Sequence, residues 1–336
     1  MHSAGSRSCP RNFRNWRECA RRAIFVSVFL VSALVLVRGI ADAQETETSD
    51  KQDAAVPIQM GNVHYRFDEN IAVQIKFLKG ALIPVGDNLV PFFDDKNSFK
   101  LRVDSGEMSI GPADLANLLN GYVFARRDSP LASISVAVSN GKLRIKGRLH
   151  DKGDIPFETE SVMTATLDGR VRLHSEKIKA LHVPVKGLME AFGLDLSTFI
   201  KSGKVRGVQA EDDDLLLDLQ QILPPPHIEG RVTSARVDAN SIVEIFGEPG
   251  KRPDEKFQRA NYFAFKGNRL RFGRLTMTDT DMILYDLDPS DPFDFYLDHY
   301  KEQLAAGYSK TTVAGQLRVF MKDYDKLPNR QKQKPN

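Results

Sequence analysis

Apolar and polar residues alternate along most of the chain. Val63, Tyr65 and Phe67, followed by Ile71, Val73, Ile75 and Phe77, repeat at every second position, the period of strands with one buried face. Tight-turn dipeptides punctuate the pattern: Asn140-Gly141 between 134–138 and 143–149, Asp168-Gly169 between 160–166 and 171–174, and Gly267-Asn268 between 262–265 and 270–277. Asn, Asp and Gly accept the positive φ that a right-twisted hairpin demands, so each dipeptide predicts a hairpin. The strands should be mostly antiparallel, which argues against a doubly wound nucleotide-binding sheet.

A helical period breaks in at four places. Over 112–124, Pro112 suits the first helical position and Leu115, Leu118, Leu119, Tyr122 and Val123 form one stripe. Residues 185–201 carry Leu188, Met189 and Phe192, pause at Gly193, and resume with Leu196, Phe199 and Ile200, predicting two short helices. A third helix is expected from Asn240 to Phe246, stopped by Gly247. A fourth is expected from Asp291-Pro292 to Gly307, with Phe293, Tyr296, Leu297, Tyr300 and Leu304 on one face. The fold class is therefore α+β, a mostly antiparallel sheet of hairpins with amphipathic helices.

Stretches 99–149, 171–220 and 229–285 read as degenerate copies of one strand–helix–hairpin unit, SNGKLRIKGRL and FKGNRLRFGRL matching best. Pro224-Pro225-Pro226 is a stiff connector between a region at 58–223 and one at 227–325 that continues the sheet. Residues 44–57, polar and acidic, read as a flexible leader, and 326–336 as a disordered tail.

The N-terminus has export grammar. Arg11, Arg14, Arg17, Arg21 and Arg22 precede an apolar run from Ala23 to Val37, and Ala41-Asp42-Ala43 places small residues at −3 and −1, predicting cleavage between Ala43 and Gln44. As a helix the run would reach only about 22 Å, short of the roughly 30 Å hydrocarbon core. Periplasmic or secreted location follows. The long basic region and Arg38 leave open an uncleaved anchor instead, and the absence of a cysteine after the run argues against lipid modification there.

Removing residues 1–43 changes the charge balance. They hold seven of the 47 Lys+Arg but only two of the 44 Asp+Glu, leaving 40 basic against 42 acidic side chains. No basic footprint for nucleic acid remains. Cys9 and Cys19 leave too, so the mature chain has no disulfide, thiolate nucleophile or zinc-thiolate site.

Candidate chemistry is sparse. Glu211-Asp212-Asp213-Asp214 suits a hairpin tip better than a hard-cation site. Asp286, Asp288, Ser290 and Asp291 alternate oxygens as calcium loops do, but lack that loop's glycine and bidentate glutamate, and turn formation with N-capping by Asp291 accounts for them. His64, His150, His174, His182, His227 and His299 show no ligand spacing, and Glu158 and Glu160 read as an exposed strand face. No nucleophile elbow, S-x-x-K pair or P-loop occurs. No catalytic residue, metal site or cofactor is predicted.

The MSIGPADLANLLNG helix entry, the VSNGKLRIKGRL and PFETESVMTATLDGRVRLHSEKIKA hairpins, and VPVKGLMEAFGLDLSTFI resemble the LmeA-like phospholipid-binding family, which is similar to tubular lipid-binding proteins. The resemblance spans residues 99–246. It implies a long, bent sheet wrapping a helix, an apolar groove for acyl chains, and contact with a membrane surface. Leu115, Leu118, Leu119, Tyr122, Leu188, Met189, Phe192 and Phe199 would line that groove, although the same stripes also suit an ordinary core. Lipid binding or carriage without covalent chemistry is the expected function. An envelope adaptor binding another protein, and a hydrolase with an unrecognised site, remain the alternatives.

Overall fold

The first alternating stretches become three long strands, β1 (Val56–Asp68), β2 (Ile71–Pro84) and β3 (Phe99–Ile110). A computed structural model describes residues 54–129, 131–149, 154–180, 183–185, 205, 207–211, 214–248 and 261–331. The apolar run 23–37, the cleavage pair Ala43 and Gln44, the helices expected over 185–201, and His150 and His182 lie outside the described residues. The body begins two residues earlier than expected, at Val56. A bulge between Ile75 and Phe77 shifts the β2 register, so Leu78 turns fully inward while Phe77 is only partly buried.

From β3 the chain enters α1 (Pro112–Leu118), which loosens into a single π-turn at Leu119–Val123. A second sheet follows: β4 (Leu131–Ser139), β5 (Lys142–Leu149), β6 (Ile155–Ala165), β7 (Val171–Ala180), β8 (Val183–Val185), β9 (Val208–Glu211) and β10 (Asp214–Leu217). Every pairing in it is antiparallel, in the order β4-β5-β6-β7-β10-β9 with β8 also on β7. Asn140-Gly141, both at positive φ, and Asp168-Gly169 close the expected hairpins.

After the short α2 (Leu219–Ile222) the chain returns to the first sheet. β11 (Ile228–Gly230), β12 (Val232–Val237) and β13 (Ile242–Phe246) join the β3 side. β14 (Tyr262–Lys266), β17 (Asp281–Asp286) and β18 (Phe293–Tyr296) build out from β1, with a small hairpin of β15 (Leu270–Phe272) and β16 (Leu275–Met277) inserted between β14 and β17. A 3-10 turn (Leu297–His299), α3 (Tyr300–Ala305), β19 (Tyr308–Thr311), β20 (Leu317–Met321) and α4 (Pro328–Gln331) complete the described chain. The first sheet curls, in the order β12-β13-β3-β2-β1-β14-β17-β20-β19. Three of its contacts are parallel: β1 with β18, β3 with β11, and β17 with β20.

The long strands β1 and β3 each divide one edge between two shorter partners. On β1, β14 pairs with Ile58–Gly61 and β18 with Val63–Arg66; on β3, β11 pairs with Leu101–Val103 and β13 with Gly106–Ile110. At the β1 junction Asn62 sits at φ 49° and its Nδ2 donates to Asn261 Oδ1 at 2.7 Å, so a side chain bridges the gap in the ladder.

Several expectations need correction. Strand far outweighs helix among the described residues, so α+β overstates the helical part. The helix expected at Asn240–Phe246 is β13, because Ile242, Val243 and Ile245 are β-branched and the edge of β3 needs a partner. The helix expected from Asp291 to Gly307 is strand at Phe293–Tyr296, where the aromatics extend the β1 edge, and becomes α-helical only at Tyr300; Asp291 caps nothing. The third repeat unit therefore has a strand where its helix was expected. Gly267-Asn268 does reverse the chain, but β14 pairs with β17, and the backbone bonds Gly267 N to Thr280 O and Thr280 N to Asn268 O close that wider hairpin. The expected tail forms a helical turn at Pro328–Gln331, and residues 332–336 lie outside the described residues.

One hydrophobic core runs between the two sheets. β12 packs on β6, where Arg231 Nη2 donates to Leu167 O at 2.6 Å across the β6–β7 turn. The core is aromatic at one end: Phe93, in the β2–β3 link, has its ring centroid 5.2–6.5 Å from those of Phe99, Phe263, Phe265, Phe272, Phe295 and Tyr300. Toward the second sheet it becomes aliphatic.

Candidate functional site

The aliphatic end is incompletely filled. Gly111 and Pro112 turn the chain from β3 into α1, whose buried residues are Leu115 and Leu118. Asn120 then fixes the π-turn to the second sheet: its Nδ2 donates to Ala116 O at 2.8 Å and Ile134 O at 2.7 Å, and its Oδ1 accepts from Ile134 N at 2.9 Å. These bonds fall at an irregularity in β4, between Ala132 and Ser135, where Ser133 takes φ 53°. The helix is thereby held at the rim of the sheet, and a cleft opens beneath it.

The cleft's first chamber lies between Leu115, Leu119 and Phe124 on one side and Ile145, Phe157 and Leu173 on the other. Its cavity volume is about 60 Å³, well under the roughly 300 Å³ at which small-molecule clefts begin, so an elongated ligand has to part its walls. Its polar side chains, among the described residues, are three hydroxyls: Thr159, Ser161 and Ser175. Thr159 Oγ1 lies 3.4 Å from Ser161 Oγ, which lies 3.3 Å from Ser175 Oγ, a ladder running across β6 and β7. A second chamber shares Leu115, Leu173 and Leu217 with the first and adds Met108, Met163 and Glu244. Two methionines give this wall side chains that repack easily.

Of the candidate lining residues, the structure brings Leu115 and Leu119 to the first chamber and Leu115 and Leu118 to the second. Tyr122 turns outward instead; it is 43% exposed, and its hydroxyl donates to Asp68 Oδ2 at 2.9 Å. Leu188, Met189, Phe192 and Phe199 lie outside the described residues. The hydroxyl ladder and Glu244 are additions. Their signal was a polar residue in phase with buried apolar ones: Thr159 and Ser161 between Phe157 and Met163, and Glu244 between Ile242 and Phe246.

Other charged groupings have internal explanations. Asp286, Asp291 and Asp323 bring carboxylate oxygens within 4.8 Å of one another. Lys326 Nζ lies 2.7 Å from Asp291 and 2.9 Å from Asp323, and 2.9 Å from the neighbouring Asp288, so an ammonium supplies the cation. Burial pushes the Asp323 carboxyl up to about 6. Glu158 and Glu160 face outward, as expected, against Arg144, Lys146 and Lys177, and hydrogen bonds from Arg144 and Lys177 hold Glu160 below the usual carboxylate range. His174 Nδ1 lies 2.6 Å from Asp214 Oδ1 on the exposed face, a cross-strand pair that no hydroxyl or thiol joins among the described residues. No described helix is long and apolar enough to cross a membrane. Comparison with protein-family models, with curated proteins and with solved structures returns no match.

Proposed function

We propose that the protein binds an acyl chain or similar elongated apolar ligand in the cleft beneath α1, without covalent chemistry, as an exported envelope carrier. The observation that supports this reading is the cleft itself: an apolar wall, carrying a hydroxyl ladder in the first chamber and a single acid in the second, lying open at the rim of an otherwise filled core. Each methylene moved from water into such a wall contributes about 0.8 kcal/mol, so a long chain needs no charged contact to bind. The signal-like N-terminus supports placement in the envelope, and the LmeA-like resemblance supports phospholipid as the source of the chain.

The test is mass spectrometry of an organic extract of the purified chain from Gln44 onward, paired with lipid uptake from phosphatidylglycerol and phosphatidylethanolamine vesicles. Stoichiometric lipid is expected in one or both assays. Ile145→Trp, which fills the first chamber from the β5 wall, is expected to abolish uptake while the protein still melts cooperatively. Absence of bound lipid together with absence of uptake by the unmodified protein overturns the reading.

A further inference from the structure

The strand geometry of β13 assigns Glu244 a place that a helix would not. In phase with Ile242 and Phe246, both buried, its side chain belongs to the inner face of the first sheet. Its cross-strand neighbours are Met108 on β3 and Ala235 on β12, neither of which carries a side-chain donor for a carboxylate. Among the described residues nothing donates to it or pairs with its charge, and it is the one titratable side chain lining the second chamber. Glu244 itself is half-buried, and desolvation pushes its carboxyl up to about 8. A lone acid in an apolar wall is costly, and the fold gains no bond from it.

The chemistry of the cleft narrows what could satisfy this group. The described lining of the two chambers carries hydroxyls and a carboxyl, but no Lys, Arg or His. An anionic head buried there would meet no counter-charge, and above about pH 8 the ionised Glu244 would repel it. An ammonium or a hydroxyl would give the carboxylate the donor it lacks, and an ammonium would also return it to its charged form.

We propose that Glu244 is the specificity-determining residue of the cleft, accepting a hydrogen bond from an amine or hydroxyl on a long-chain amphiphile. This rests on the apolar-ligand reading above and adds the chemistry of the ligand's polar end. The hydroxyl ladder on the opposite sheet can serve neutral oxygens of the same ligand.

The experiment, run above about pH 8 so that Glu244 is ionised, measures displacement of the neutral dye Nile red by hexadecylamine, hexadecanol and palmitate, which share chain length and differ in head. The amine is expected to bind at least about ten-fold tighter than the carboxylate, with the alcohol between them. In Glu244→Gln, matched in shape and uncharged, the amine-to-carboxylate ratio is expected to fall to within about two-fold of unity. Palmitate binding the unmodified protein as tightly as hexadecylamine overturns the proposal without needing the variant, and leaves the apolar-ligand reading intact. An unchanged ratio in a folded Glu244→Gln protein overturns it as well. If neither the dye nor any of the three ligands binds, the apolar-ligand reading falls, and this proposal with it.

Discussion

Arg66 holds both carboxylate oxygens of Asp294 across the parallel seam of β1 and β18, with Nε 2.7 Å from Oδ1 and Nη2 3.1 Å from Oδ2. Asp294 Oδ2 also accepts from Asp325 N at 3.1 Å, so one fork ties three segments that lie far apart in sequence. The Asp294 side chain is 9% exposed. Arg66→Met is therefore expected to cost about 3 kcal/mol, because it strands a nearly buried charge. The double variant Arg66→Met/Asp294→Asn should lose less than the sum of the two single changes. Urea unfolding of all four proteins checks both statements.

Phe93 lies outside any strand, yet it is the hub of the aromatic end of the core. Phe93→Ala is expected to destabilise by about 4 kcal/mol, the usual cost of emptying a large buried ring site. Phe93→Leu should recover more than half of that. Thermal unfolding compared across the three proteins measures it, and lipid uptake by Phe93→Leu should match the unmodified protein, since the cleft lies at the other end of the core.

A Cβ added at Gly80 would fall 1.9 Å from Arg102 O, beside the register shift between Lys79 and Gly80 in the β2–β3 pairing. The obstacle is backbone, so no rotamer relieves it. Gly80→Ala should force those strands apart and cost about 3 kcal/mol or more. Loss of amide-exchange protection along Leu101–Val103, measured by hydrogen exchange, is the expected local signature.

Glu244 gives stability a pH dependence with a definite sign. Its carboxyl is raised from the ordinary 4.5 to about 8, so across that window the folded state keeps a proton that the unfolded chain has released. Stability contributed by this group is therefore fully present below about pH 4.5 and declines as pH rises to about 8. Glu244→Gln should flatten that decline and be the more stable protein at the alkaline end, by on the order of 1–3 kcal/mol. Denaturant midpoints at acidic and alkaline pH check it; equal slopes in the two proteins would show that Glu244 is solvated.

The strands with strict alternation, Val63 to Phe67 and Ile71 to Ile75, could be read directly, as could the Asn140-Gly141 and Asp168-Gly169 hairpins, because both signals are local. Phe293–Tyr296 was illegible for the opposite reason. Its aromatics fit a helical stripe as well as a strand, and only the open edge of β1, some 230 residues earlier in the chain, decides between them. Glu244 was hidden by the same ambiguity: read as helical, Asn240–Phe246 gives no reason to place its acid among Ile242, Phe246 and Met108. Asn120, which holds the helix at the cleft, carries no sequence signal beyond its type, since its partner is the backbone of Ile134 in β4.

The divided edges of β1 and β3 also fix an order of assembly. During vectorial synthesis or threading through a pore, β4 to β7, β9 and β10 emerge as a run of neighbouring hairpins that can close on themselves. The outer edges of β1 and β3 must wait for β11, β13, β14 and β18, segments that arrive only after the second sheet is complete. Pairings of such long loop closure form slowly, and until they do both edges present unpaired backbone to other chains. A truncated product ending at Leu217 would thus keep its hairpin sheet and expose two sticky ribbons, a ready substrate for holding chaperones and for aggregation.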